Sequence, residues 1–173
     1  MDTLANDYAI KNLIMTEFEV WNYDDDIDVI NELIINAIRS SEGVFVYRRL
    51  THLLEENKFI KWLKNETEII HCNEVSIEFK EHSTMESFRP INNEGVYFLK
   101  FTEDNKEDFL RHFRLSIRAI KNRIGKSNGI KYLEKSMYID DPLYDQYDFI
   151  FTVGDKVILF TDIHDFTFVK AEV

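Results

Sequence analysis

The side chains best placed to do chemistry stand near the C-terminus, in the run Asp162-Ile163-His164-Asp165. Two carboxylates and an imidazole this close could hold a divalent cation, and a bound cation could activate water for hydrolysis. The same residue types are ordinary turn formers, and the apolar runs on either side favour a turn between strands. The sequence offers no second ligand cluster to complete a metal site. His71-Cys72 invites a thiol-nucleophile reading, since a neighbouring imidazole lowers a thiol's pKa. Adjacent residues of a strand point to opposite faces, however, and a small buried hydrophobe at Cys72 explains the pair more simply. His52, His82 and His112 stand alone. The chain has no phosphate loop, no nucleophile elbow, no paired-cysteine zinc pattern and no dinucleotide fingerprint. We therefore expect no catalytic residue, no metal and no cofactor.

Charge is more informative. The net charge is −11, which disfavours free nucleic acid as a partner, because phosphate binding needs a basic surface that releases counterions. From Phe109 to Lys126 the charged residues are all basic: Arg111, Arg114, Arg118, Lys121, Arg123 and Lys126. Charge is thus segregated along the chain. At helical spacing Arg111, Arg114, Arg118 and Lys121 share one face, which reads first as a solvated outer surface and second as a grip for an acidic patch or RNA. The acids gather in two places, Asp24, Asp25, Asp26 and Asp28, then Asp140, Asp141, Asp145 and Asp148, with Tyr23, Tyr138, Tyr144 and Tyr147 interleaved. Rigid aromatic anchors ringed by carboxylates suit an interface with a basic protein. The expected partner-binding set is Asp24, Asp25, Asp26, Asp28, Asp140, Asp141, Tyr144, Asp145 and Asp148.

The elements that must present these groups follow from periodicity. Tyr147 to Val169 is the most continuously apolar, β-prone stretch and reads as a three-stranded meander, with Gly154-Asp155 as a hairpin turn. That loop pairs Val153 with Lys156, and it sets Phe149 opposite Phe160 and Phe151 opposite Ile158 on one face, with Ile150, Thr152, Val157 and Leu159 on the other. Apolar residues on both sides require that both be covered. Upstream, Tyr8 to Met15 reads as a short helix leading into a strand. Ile30, Ile34, Ala37 and Ile38 behind an acidic first turn predict a helix from about residue 26 to 39. Tyr47, Leu50, Leu53 and Leu54, then Phe59, Trp62 and Leu63, predict helix over 47–64. Val75, Ile77 and Phe79 alternate as a half-buried strand, residues 81–94 read as a long loop, and 95–101 as another strand. Thr102 caps a helix running to about Ile124. The helical patterns show no unusual polar residue on an apolar side, so no site is expected inside them.

Together these give one α+β domain over 1–173: an antiparallel or mixed sheet centred on the C-terminal meander, packed by three to four helices. With 45% hydrophobic and 14% aromatic residues the chain is too apolar to be disordered, and no run approaches a membrane span. Its start lacks the basic end and apolar run of a secretion signal, and the single cysteine excludes an internal disulfide, so a cytoplasmic protein is expected. In size, acidity and the clusters Tyr23–Asp28 and Asp140–Asp148, the chain resembles the immunity proteins that bacteria make against their own delivered toxins, including those of contact-dependent growth inhibition. That resemblance implies a non-enzymatic inhibitor that binds a toxin domain stoichiometrically, often a nuclease with a basic cleft, and occludes it. Two alternatives remain: a phage or mobile-element inhibitor that mimics nucleic acid, and a metal-dependent hydrolase using Asp162, His164 and Asp165.

Overall fold

A computed structural model describes residues 9–22, 27–48, 58–66, 69–70, 72–80, 84–88, 96–113, 147–162 and 167–171. In chain order the strands are β1 (Ala9–Met15), β2 (Phe18–Asn22), β3 (Gly43–Arg48), β4 (Ile69–Ile70), β5 (Cys72–Phe79), β6 (Thr84–Phe88), β7 (Val96–Lys100), β8 (Tyr147–Val153), β9 (Lys156–Asp162) and β10 (Thr167–Ala171). The helices are α1 (Ile27–Ser40), α2 (Lys58–Glu66) and α3 over 103–113. The fold is α+β, and the sheet dominates it.

The ten strands form one mixed sheet in the order β4-β7-β3-β8-β9-β1-β5-β6, with β2 joined through β10 to β9. Every pairing from β4 through to β9 is antiparallel, whereas β1 lies parallel to both β5 and β9. Beyond β8 one side of β9 is shared: β1 meets it at Lys156, and β10 takes over from Leu159 to Asp162. The sheet therefore forks. One arm is β10–β2 and the other β1–β5–β6.

Gly154 at the β8–β9 turn adopts φ of +60°, the left-handed region that a glycine reaches without a Cβ clash. Val153 pairs with Lys156 as the turn requires. Beyond that pair the register departs from the simple hairpin. Phe151 pairs with Leu159 and Thr152 with Val157, leaving Ile158 as the extra residue of a β-bulge. The bulge turns Leu159 onto the helix side together with Phe149 and Phe151, and puts Phe160 opposite with Ile150 and Val157. Both sides of β8 are covered, as its composition demands.

On one side lie the helices. Ile30, Ile34, Ala37 and Ile38 of α1, Phe59 and Leu63 of α2, and Phe109 and Phe113 of α3 pack on Phe149 and Phe151. Helix α1 stops where the Ser41 hydroxyl donates to the Ile38 carbonyl at 3.0 Å, and Lys106 Nζ donates to the Arg39 carbonyl at 3.0 Å, a cation at the negative end of the helix dipole. Helix α3 starts at a reciprocal cap: the Asn105 amide N–H donates to Thr102 Oγ1 at 3.2 Å, and the Thr102 N–H donates to Asn105 Oδ1 at 2.7 Å. Phe109 and Phe113 are buried as the stripe predicts; Ile117, Ile120 and Ile124 lie outside the described residues. On the other side, Leu13 and Met15 of β1 and Val75, Ile77 and Phe79 of β5 share a cluster with Phe45, Ile150 and Phe160. β3, β8, β9, β1 and β5 follow one another in the sheet, so this cluster runs along its second side.

Three expectations are corrected. Ala9–Met15 is a strand and not a helix: Leu13 and Met15 are buried at alternate positions, and β5 supplies the ladder. Tyr47 belongs to β3, opposite Asp148 of β8, and not to a helix; Leu50, Leu53 and Leu54 lie outside the described residues, and the second half of the predicted helix is present as Lys58–Glu66. Thr84–Phe88, read as loop, is a strand because β5 offers it a complete antiparallel register. Each correction has one physical cause. A partner distant in sequence satisfies backbone groups that local periodicity leaves undecided.

Candidate functional site

Of the first acidic cluster, Asp28 sits exposed in the first turn of α1, where a carboxylate favours the positive end of the helix dipole. Asp24, Asp25 and Asp26 lie outside the described residues, as do Asp140, Asp141, Tyr144 and Asp145 of the second. Asp148 is described, and it is not a surface acid. It stands in β8 opposite Tyr47 of β3 and is 0% exposed. β8 is interior to the sheet, and the alternation of 148, 150 and 152 puts Asp148 on the side of Ile150, away from the helix-packed Phe149 and Phe151. A partner docking on the folded chain meets no carboxylate there. Tyr147, the residue before it, is also buried, in the helix-side cluster with Phe59 and Phe149.

Among the basic residues, Arg111 is exposed and ion-paired to Asp108 one turn earlier at 2.8 Å. The remaining bases of that stretch lie outside the described residues. Asp162 ends β9, while His164 and Asp165 are outside the description; among the described residues no group of three or more His, Cys, Asp or Glu side chains could hold a metal. Cys72 opens β5, and His71 is not described. His112 is a packing residue. Its ring lies 5.2 Å from that of Trp62 and 5.6 Å from that of Phe59. Burial pushes its imidazole below the ordinary value, and the Arg111 charge adds to this against an opposing pull from Asp108.

One feature was invisible in the sequence. Beside the buried stripe of α1, the exposed residues Glu32, Asn36 and Ser40 recur every fourth position and form one wall of an open trough of about 320 Å³. Ile158, the bulged residue of β9, and Lys170 and Ala171 of β10 line it from the sheet, with Leu33 and Ala37 of the buried stripe beside them and Val29 where α1 begins. Lys170 is paired to Glu19 of β2 at 3.5 Å. The spacing of the wall could be read from the chain, but nothing local announces a floor that comes from strands more than a hundred residues later.

Comparison with protein-family models, curated proteins and solved structures finds no match to this chain. Among the described residues, no helix is long and apolar enough to cross a membrane.

Proposed function

We propose that the chain is an immunity-type inhibitor, a cytoplasmic protein that binds a basic toxin domain, for instance a nuclease, and blocks it by occupying its cationic surface. The observation that carries this reading is segregated charge: net −11 overall, with aspartates gathered at Asp24–Asp28 and Asp140–Asp145 among tyrosines. Exposed Asp28 at the start of α1 supports it by offering a carboxylate on a rigid element. Carboxylates presented this way steer a positive partner and speed association, while tyrosine supplies contact area at low entropic cost. Asp148 has no part in the docking face, since it is buried.

Charge reversal at Asp140, Asp141 and Asp145 together is the test. The complex with the proposed toxin domain is expected to weaken by on the order of tenfold or more, with faster dissociation, while the unfolding midpoint stays put. Unchanged affinity and protection in a folded variant would remove that cluster from the interface.

A further inference from the structure

The trough beside α1 has a shape and a charge gradient that together select an occupant. Its wall follows the helix axis from Val29 to Ser40, about 16 Å at 1.5 Å per residue. A second helix laid alongside would bring side chains to the floor at i, i+3 or i+4, and i+7, the pattern of helix-in-groove recognition. The two ends differ in charge. Asp28 and Glu32 stand one turn apart near Val29; at the Ser40 end are Arg39 and Lys106, whose ammonium rests on the Arg39 carbonyl. Lys170, the one base among the described lining residues, is offset by Glu19.

We propose that this trough seats an amphipathic helix of the basic partner protein, its apolar stripe over Ile158 and Val29 and its lysines or arginines against Asp28 and Glu32. The inference rests on the inhibitor reading for the partner's positive charge and adds to it a second contact surface with a defined direction. The partner's bases gather at the end of its helix that meets the start of α1.

The test is a titration of the full-length, isotopically labelled chain with a synthetic helix of roughly 18 residues bearing a leucine stripe and lysines clustered at one end. A peptide of the same composition with the leucines scrambled is the control. Saturable amide shifts over 29–40, at Ile158 and at 170–171 are expected, seen only with the ordered stripe. Glu32→Arg should weaken them on the order of tenfold, Val29→Gln, at an exposed position, should weaken them by removing an apolar contact, and Ser40→Trp, also exposed, by filling the end of the trough. Equal binding of the scrambled peptide, shifts centred elsewhere, or indifference to all three folded variants would overturn the proposal. Toxin neutralisation by a chain whose trough ignores the ordered peptide would overturn this inference and leave the inhibitor reading standing. Specific seating of the peptide in a chain that neutralises no toxin would support the trough and remove the inhibitor reading.

Discussion

The two sides of the central sheet are covered by different means. Over Phe149 and Phe151 lie three helices, and the cover is a network of rings: Phe113 is 5.0 Å from Phe149 and 5.1 Å from Phe109, while Phe59 reaches Phe109 at 5.5 Å and Phe149 at 6.0 Å. On the side of Ile150 and Phe160, Leu13 and Met15 of β1 and Val75 and Ile77 of β5 supply mostly aliphatic packing from the neighbouring strands, and Phe79 meets Phe160 at 6.1 Å. The helix side is assembled from amphipathic stripes that each exist locally. The strand side depends on β1 and β5, some sixty residues apart, finding a parallel register. We infer that the aromatic side holds more of the stability and the strand side more of the topological specificity.

The sharpest break of that contrast is truncation on each side. Phe149→Ala removes a ring that touches five others and is expected to cost roughly 3–5 kcal/mol in urea unfolding. Ile77→Ala in β5, on the other side, should cost roughly 2–4 kcal/mol. A larger loss at Ile77 than at Phe149 would reverse the ranking of the two sides.

Gly43→Ala probes the seam between them. A Cβ there would stand 2.8 Å from the Phe98 ring and 3.1 Å from the Leu99 carbonyl oxygen, so β3 and β7 must separate or Phe98 must leave Phe45. The expected cost is roughly 1–3 kcal/mol, read as a lower thermal midpoint. A wild-type midpoint would show that the seam is looser than its geometry.

The smallest effect is a pH dependence confined to the helix side. Because burial and Arg111 hold His112 below its ordinary pKa of 6.5, the unfolded chain takes up this proton before the folded one as pH falls. The stability it contributes is complete above 6.5 and is lost as pH drops from there through the lowered folded value. His112→Leu should therefore flatten stability against pH below 6.5, and an unchanged slope would contradict the packing role.

What could be read in the sequence was local. The Gly154 turn, the Thr102 cap and the stripe of α1 each depend on residues within a few positions, and each is present. Strands β1 and β6 were misread because NLIMT and TMESF carry no decisive period and become strands only against β5. The bulge at Ile158 shifted a face assignment by one residue, since two flanking apolar positions, Ile158 and Leu159, suit either register. In the candidate site, Asp148 misled because an acid after glutamine and tyrosine reads as surface, while β8 lies inside the sheet with β3 on one side and β9 on the other. The trough escaped notice because its polar wall is ordinary until β9 and β10 are placed across from it.

The most direct test of the central claim is a titration of a basic toxin domain's activity with this chain, the toxin being one captured on it. Stoichiometric occlusion predicts a linear fall to zero that breaks at molar equivalence, with association slowed steeply by added salt. Complete inactivation at a small fraction of equivalence would mean turnover, and undiminished toxin activity at excess chain would mean that the negative charge serves some other partner.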